Sequence, residues 1–420
     1  MLDRYAGVFG GRNALLLRMA GLTGVEVHAE GAWVLDDSGR RWLDFGSFGV
    51  HLLGHRHPSV VEAAKAQLDR MGLATKVLGG GAAVECAERL LATLPGRIDR
   101  VVFANSGGEA VDMAMKLAMI TTGRRRFVAL RNSYHGKTLG ALSLSDALRH
   151  CHDIGAGHPV QFVEAGDTAA VAEALSRGDV AALIAEPVQG EGGIRPVDPA
   201  FLSAAETACR ATDTLFVLDE IQAGLGRCGE VWRSAGRHCS PDIVLAGKTL
   251  GGGLVPVAAC AFATAAVAER AGDPVLLASS FAGGALAAAV AATVVSLVSD
   301  DDFLARVRAR SDQAFAGLRA GLAGLDEVVD VRGEGLMIGV QLADPGLVGA
   351  TVIAAAERGV LTTFCLHDPT VLRVYPPAFC DERELDDGVE RMADAVRTAV
   401  AARPTPLGGE LRCPSSIPAL

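Results

Sequence analysis

Short apolar runs alternate with longer amphipathic stretches through most of this chain. The runs Arg100–Phe103, Arg126–Leu130, Val180–Ala185, Thr214–Asp219 and Asp242–Ala246 are dominated by Val, Ile, Leu, Phe and Ala, as buried strands are. Between them, Glu109–Thr121, Asp167–Leu175 and Pro199–Thr212 carry apolar residues at helical spacing and predict helices. Nearer the start, Ala32–Asp36 and Arg41–Asp44 flank the turn Asp37-Ser38-Gly39-Arg40 and predict a hairpin, with a helix over Pro58–Met71 to follow. Strands and helices that alternate in this way predict an α/β fold: a mostly parallel sheet covered by helices on both faces.

Past Ala285 the rhythm changes. A long helix comes first, then runs at Val328–Val331 and Met337–Leu342, a helix near Val352–Arg358, a run at Leu372–Tyr375, and a final helix from Glu382. This pattern predicts a smaller α+β domain. The expected division is an N-terminal segment over 1–45 that belongs to the small domain, a large domain over 46–291, the small domain over 292–403, and a poorly ordered, proline-rich tail over 404–420.

Composition narrows the function. With 420 residues, half of them hydrophobic and 21% charged, the chain has a globular balance and exceeds one small core. A net charge of -10 argues against a nucleic-acid surface. The one basic cluster, Arg124-Arg125-Arg126, reads as a solvated helix end. Nine cysteines without a CxxC pair, and no apolar leader, point to a reduced cytoplasmic compartment. Pro274–Ser299 carries no charge, but Phe281-Ala282-Gly283-Gly284 interrupts it, so a loop and a buried helix over Ala285–Val298 are expected in place of a membrane span. His51, His55 and His57 lie close together but lack carboxylate or cysteine support for a metal, and no metal site is expected.

The candidate chemistry sits where apolar runs end. Asp219 closes one run and Lys248 stands just past the next. A lysine that forms a Schiff base with an aldehyde, and a carboxylate that keeps a pyridine nitrogen protonated, are the pair that pyridoxal phosphate needs. Ser106-Gly107-Gly108 opens a helix, where backbone N–H groups and a hydroxyl can hold a phosphate, although an ordinary helix start reads the same way. Tyr134-His135 closes another strand-to-helix connection; its aromatic ring could lie against a pyridine ring or simply pack under a loop. Glu186 and Glu191 lie in the glycine-rich loop Glu186–Gly193 at the end of Val180–Ala185. Ligands of open α/β sheets bind outside the carboxyl ends of the strands, and all these loops follow such ends.

Many segments in one order carry a resemblance. They are Gly54-His55-Arg56-His57-Pro58, Glu186–Gly193, Leu218–Arg227, Pro241–Lys248, Arg332–Gly339 and Leu372–Pro377. From about Trp42 to Ala395 the chain resembles the class III (ornithine-type) aminotransferases of the aspartate aminotransferase fold, pyridoxal-phosphate fold type I. The resemblance implies a transaminase that carries pyridoxal 5′-phosphate on Lys248 and pairs Asp219 with the ring nitrogen. It implies Gln222 near the phenolic oxygen, Ile221 and Tyr134 on the two ring faces, and Ser106, Gly107 and Gly108 around the phosphate. His135 and Glu186 join the cofactor set. Ser280 would reach the phosphate from a partner subunit, which implies a homodimer with shared active sites. Arg373 would grip a substrate carboxylate, and Glu191 would pair with that arginine when no carboxylate is offered. The implied substrates are a small amine and a keto acid.

Departures are visible too. Gly108 stands where the family usually carries Ser or Thr, and Ser280–Ala285 replaces a Thr-Phe-Gly-Gly-Asn-Pro segment. An aminomutase, racemase or decarboxylase of the same fold would need the same Lys248 and Asp219. A non-catalytic scaffold would need neither of them, nor Arg373.

Overall fold

A computed structural model describes residues 2–19, 21–148, 157–236 and 238–403. The expected tail over 404–420 falls outside them.

A seven-stranded sheet forms the centre, in the order Arg100–Ala104, Ala258–Phe262, Ile243–Ala246, Leu215–Asp219, Val180–Ala185, Arg126–Leu130, Val160–Val163. The last five pair in parallel. Ala258–Phe262 runs against both of its neighbours. Alternate residues point to opposite faces, so each strand serves two cores. Phe127, Ala129, Ile184, Leu215, Val217 and Ile243 face one cluster, with the helix Gly107–Thr122. Val128, Leu130, Leu183, Phe216, Leu218 and Val244 face the other, with Pro199–Ala211 and Ala285–Val298. Burial on both faces explains why these strands read as unbroken apolar runs.

A second sheet is antiparallel throughout, in the order Val328–Glu334, Met337–Leu342, Val371–Val374, Thr363–Phe364. The helices Asp301–Gly321, Pro345–Glu357 and Glu382–Ala401 supply the core beside it. The N-terminal strands Glu26–Glu30, Trp33–Asp36 and Arg41–Asp44 form a further sheet, which Val360–Leu361 joins in parallel beside Arg41–Asp44. The α/β expectation of a mostly parallel main sheet with a smaller α+β unit matches this architecture.

Differences from the sequence reading have local causes. The helix expected over Ala285–Val298 is found with those bounds, and a second helix, Asp301–Gly321, which the sequence reading did not separate, follows it because Asp300 accepts from the N–H groups of Asp302 and Phe303. The helix expected near Val352 begins at Pro345, capped by Asp344 accepting from Leu347 N–H. Of the basic cluster, only Arg125 is exposed. Arg124 donates to the carbonyls of Val180, Thr212 and Asp213 at 2.9–3.0 Å, and Arg126 pairs with Asp179 at 2.9 Å. Seven cysteines among the described residues are buried and free. Among those residues no helix is long and apolar enough to cross a membrane.

Candidate active site

The strand ends converge on one cavity of about 460 Å³ at the carboxyl edge of the main sheet. Lys248 follows Ile243–Ala246 and opens a short 3-10 turn, Lys248–Gly251. Its φ of 41° is in the left-handed region that side-chain-bearing residues rarely adopt, a strain typical of functional positions. Burial holds the Lys248 ammonium below its ordinary pKa, while Asp219, Glu191 and Glu186 oppose that shift.

Asp219 closes the adjacent strand and shares the face of Leu215 and Val217. One of its oxygens lies 2.7 Å from His135 Nδ1; the other accepts from Ile221 N–H at 3.1 Å. Glu220, next in sequence, is spent elsewhere. It accepts from the N–H groups of Arg233, Ser234 and Ala235 at 2.6–3.0 Å and ties down that loop. Burial works against a charge on His135, yet the Asp219 carboxylate raises its pKa. Burial pushes Glu186 up to about 7. Its two oxygens accept from Tyr134 N–H at 2.8 Å and Gly190 N–H at 3.2 Å, so it orients the tyrosine loop.

Ser106 caps the helix Gly107–Thr122, accepting from Glu109 N–H at 3.3 Å. Gly107 packs closely on Ile221: a Cβ there would lie 3.0 Å from Ile221 Cδ1 and would press that side chain aside. At Gly108 a Cβ would press on Thr138 at 3.2 Å, so Thr138 fills the space that a Ser or Thr side chain would take. Gln222 lines the cavity, and its Nε2 is buried without a partner among the described residues.

Arg373 and Glu191 form a buried ion pair, Nη2 to Oε2, at 2.6 Å. Arg373 Nε and Nη1 have no partner among the described residues. Ser280 is not brought into the cavity; it is exposed on the segment held by Lys76 Nζ, which donates to the carbonyls of Ser279 and Ala282. The structure adds Gly136, Lys137 and Thr138 to the lining. Their signal in the sequence was position alone, directly after Tyr134-His135. His55 pairs with Asp44 at 2.8 Å and stacks on His51. Among the described residues no three His, Cys, Asp or Glu side chains gather as a metal would need.

This donor set fits pyridoxal 5′-phosphate. A half-buried lysine, a buried carboxylate on the next strand, an amide donor without a partner among the described residues and a glycine-bearing helix start surround one space of suitable size.

Comparisons with known proteins agree. Residues 22–396 match the family described as Aminotransferase class-III. The acetylornithine aminotransferase of Methanosarcina mazei is 36% identical over 374 residues, covering 87% of this chain and 90% of that protein. Among solved structures, N-acetylornithine aminotransferase from Stenotrophomonas maltophilia is 30% identical with a TM-score of 0.78, covering 92% of this chain and 100% of that one. Ornithine aminotransferase from Toxoplasma gondii is 28% identical with a TM-score of 0.80, covering 90% and 92%. By sequence, fold and the chemistry gathered at its sheet edge, this chain belongs to the class III aminotransferases, enzymes that use pyridoxal phosphate to transfer an amino group to a keto acid.

Proposed function

We propose that the amino donor is an ω-amine, a diamine or an ornithine-like amino acid, and that an α-keto acid accepts its amino group in a second, ping-pong half-reaction. The observation that carries the reading is the buried Arg373–Glu191 ion pair, whose charges both act on Lys248: a pocket with an arginine and its own carboxylate partner suits substrates with and without a carboxylate there. When bound, pyridoxal phosphate supplies an aldehyde to take up the amine and a protonated ring that withdraws electrons from the donor carbon.

Lys248 Nζ would hold the cofactor and, once freed from it, is placed to take up and return a proton at the donor carbon. Its lowered pKa favours the neutral amine that can take a proton. Asp219 keeps the proton on the ring nitrogen, and His135 holds Asp219 in place. Gln222 Nε2, buried and without a partner among the described residues, would donate to the phenolic oxygen. Ile221 and Tyr134 would cover the two ring faces, Glu186 fixes the Tyr134 backbone, and Ser106, Gly107 and Gly108 would hold the phosphate. Arg373 binds a substrate carboxylate, and Glu191 neutralises it when the substrate offers none.

A homodimer completes the site in this reading, with the partner subunit's Ser280 reaching the phosphate. The exposed apolar side chains Leu73, Val77, Leu78, Val275 and Phe281 support such an interface. The division into 1–45 with 292–403, and 46–291, is supported by the pairing of Arg41–Asp44 with Val360–Leu361. A reduced cytoplasmic setting accords with the free buried cysteines.

The test is an absorbance spectrum of the cofactor-loaded protein with a panel of amines and no keto acid. Loss of the visible-edge band with a particular amine supports the reading and identifies the donor class. A band that persists while product forms replaces it with isomerisation or decarboxylation.

A further inference from the structure

The Glu191–Arg373 pair is not held by its charges alone. Arg373 reaches Glu191 through one nitrogen only, Nη2, and the same Oε2 also accepts from the backbone N–H of Leu366 at 3.0 Å. The next residue continues the grip, with His367 N–H donating to the Glu191 carbonyl at 3.0 Å. Glu191 is thus clasped from one side by the segment joining Thr363–Phe364 to Val371–Val374.

Cys365 N–H donates to the Val371 carbonyl at 3.0 Å just before Leu366, and the side chain of His367 adds a second hold just after it. Its ring meets Tyr134 edge-on, with centroids 5.7 Å apart, and its Nδ1 lies 3.4 Å from the Asn132 carbonyl. The far end of the segment is anchored separately. Asp368 pairs with Arg195 Nη2 at 3.0 Å, and Arg195 Nε donates to the Gly192 carbonyl at 3.2 Å. Loss of the His367 ring therefore loosens the near end while the far end stays tied to the glutamate loop.

We propose that Leu366 N–H is a latch that holds Glu191 on Arg373, and that His367 is the positioning residue that keeps the latch aligned. The latch sets how hard a keto-acid carboxylate must compete for Arg373, and so sets the balance between carboxylate-free amines and carboxylate-bearing acceptors. The reason is geometric. An incoming carboxylate can take two guanidinium nitrogens, whereas Glu191 takes one, and the Leu366 N–H makes up the difference. The proposal rests on the reading of Arg373 and Glu191 as exchangeable partners.

The test uses full-length protein with His367→Ala, His367→Asn, Glu191→Gln and the His367→Ala/Glu191→Gln double change. Glutarate, a dicarboxylate that cannot react, is titrated calorimetrically. Separately, protein loaded with pyridoxamine phosphate is mixed with 2-oxoglutarate in single turnovers. In His367→Ala both ligands should bind about three- to tenfold more tightly, a weakening and not a full loss of the Leu366 N–H bond to Glu191, with the shift falling on the half-saturating concentration. His367→Asn, which can still donate to the Asn132 carbonyl, should restore the wild-type value. The double variant should bind no more tightly than Glu191→Gln alone, because His367 acts through Glu191. Unchanged or weaker binding in a folded His367→Ala protein, or additive effects in the double variant, overturns the latch alone. Wild-type protein that converts no keto acid overturns the aminotransferase reading and the latch with it.

Discussion

His135 and Asp219 lie 84 residues apart in sequence, yet their side chains are buried together with Nδ1 and Oδ2 separated by 2.7 Å. The imidazole and the Ile221 N–H together fix the orientation of the Asp219 carboxylate.

Replacing His135 with Ala should therefore loosen cofactor retention, by roughly tenfold, through loss of a hydrogen bond to a charged group. Equilibrium dialysis against pyridoxal phosphate measures it. Wild-type retention would remove His135 from the cofactor set.

Lys248→Ala should reduce turnover by roughly 10⁴-fold or more, since one side chain both holds the cofactor and moves the proton. A steady-state assay with the best amine of the panel decides the matter. Residual turnover within tenfold of wild type would show that another group does this work.

Glu186 gives a pH prediction with a definite sign. Its carboxyl, ordinarily near 4.5, is pushed up to about 7, by burial first and Asp219 in addition, against the opposing pull of His135. The folded chain thus keeps a proton that the unfolded chain releases. That contribution to stability is fully present below about pH 4.5 and is lost as pH rises through about 7. Urea unfolding at pH 5 and pH 8 should show this loss in wild type and not in Glu186→Gln. Equal pH dependence in the two proteins would contradict the buried, protonated carboxyl.

Arg227 gives a stability prediction. Fully buried, it donates to the carbonyls of Gly49, Leu336 and Pro376 at 3.1–3.4 Å, and burial lowers its pKa to about 10. It joins the loop after Asp219 to the antiparallel sheet and to the segment after Asp44. Arg227→Met should cost about 3 kcal/mol, because three buried acceptors lose their donor. Denaturant unfolding checks it, and a change under about 0.5 kcal/mol, the level of a surface substitution, would mean that water replaces the guanidinium.

Much of the fold was legible because its signals are local. Val180–Ala185 and Leu215–Asp219 are buried on both faces, so they read as apolar runs, and the residues just past such runs marked Asp219, Lys248 and Glu186. The antiparallel strand Ala258–Phe262 was missed. Its small residues, Ala258, Ala259 and Ala261, carry little strand signal, and its place depends on pairing with Ala104 and Ala246 far away in sequence. Val160–Val163 was missed as well, being a short edge strand of mixed polarity.

The sequence by itself determined the identities and order of the chemical groups, the strand and helix periods, and the motifs that carry the resemblance. These depend on neighbours a few residues apart. The tertiary structure alone decided which groups meet. It set His135 on Asp219, turned Glu220 away to three backbone N–H groups, and closed the Leu366–His367 segment over Glu191. It also left Ser280 outside the cavity of its own chain. Such contacts arise when the two faces of the sheet are covered and distant loops are pressed together by burial of the cores beneath them, a long-range outcome that no local pattern encodes.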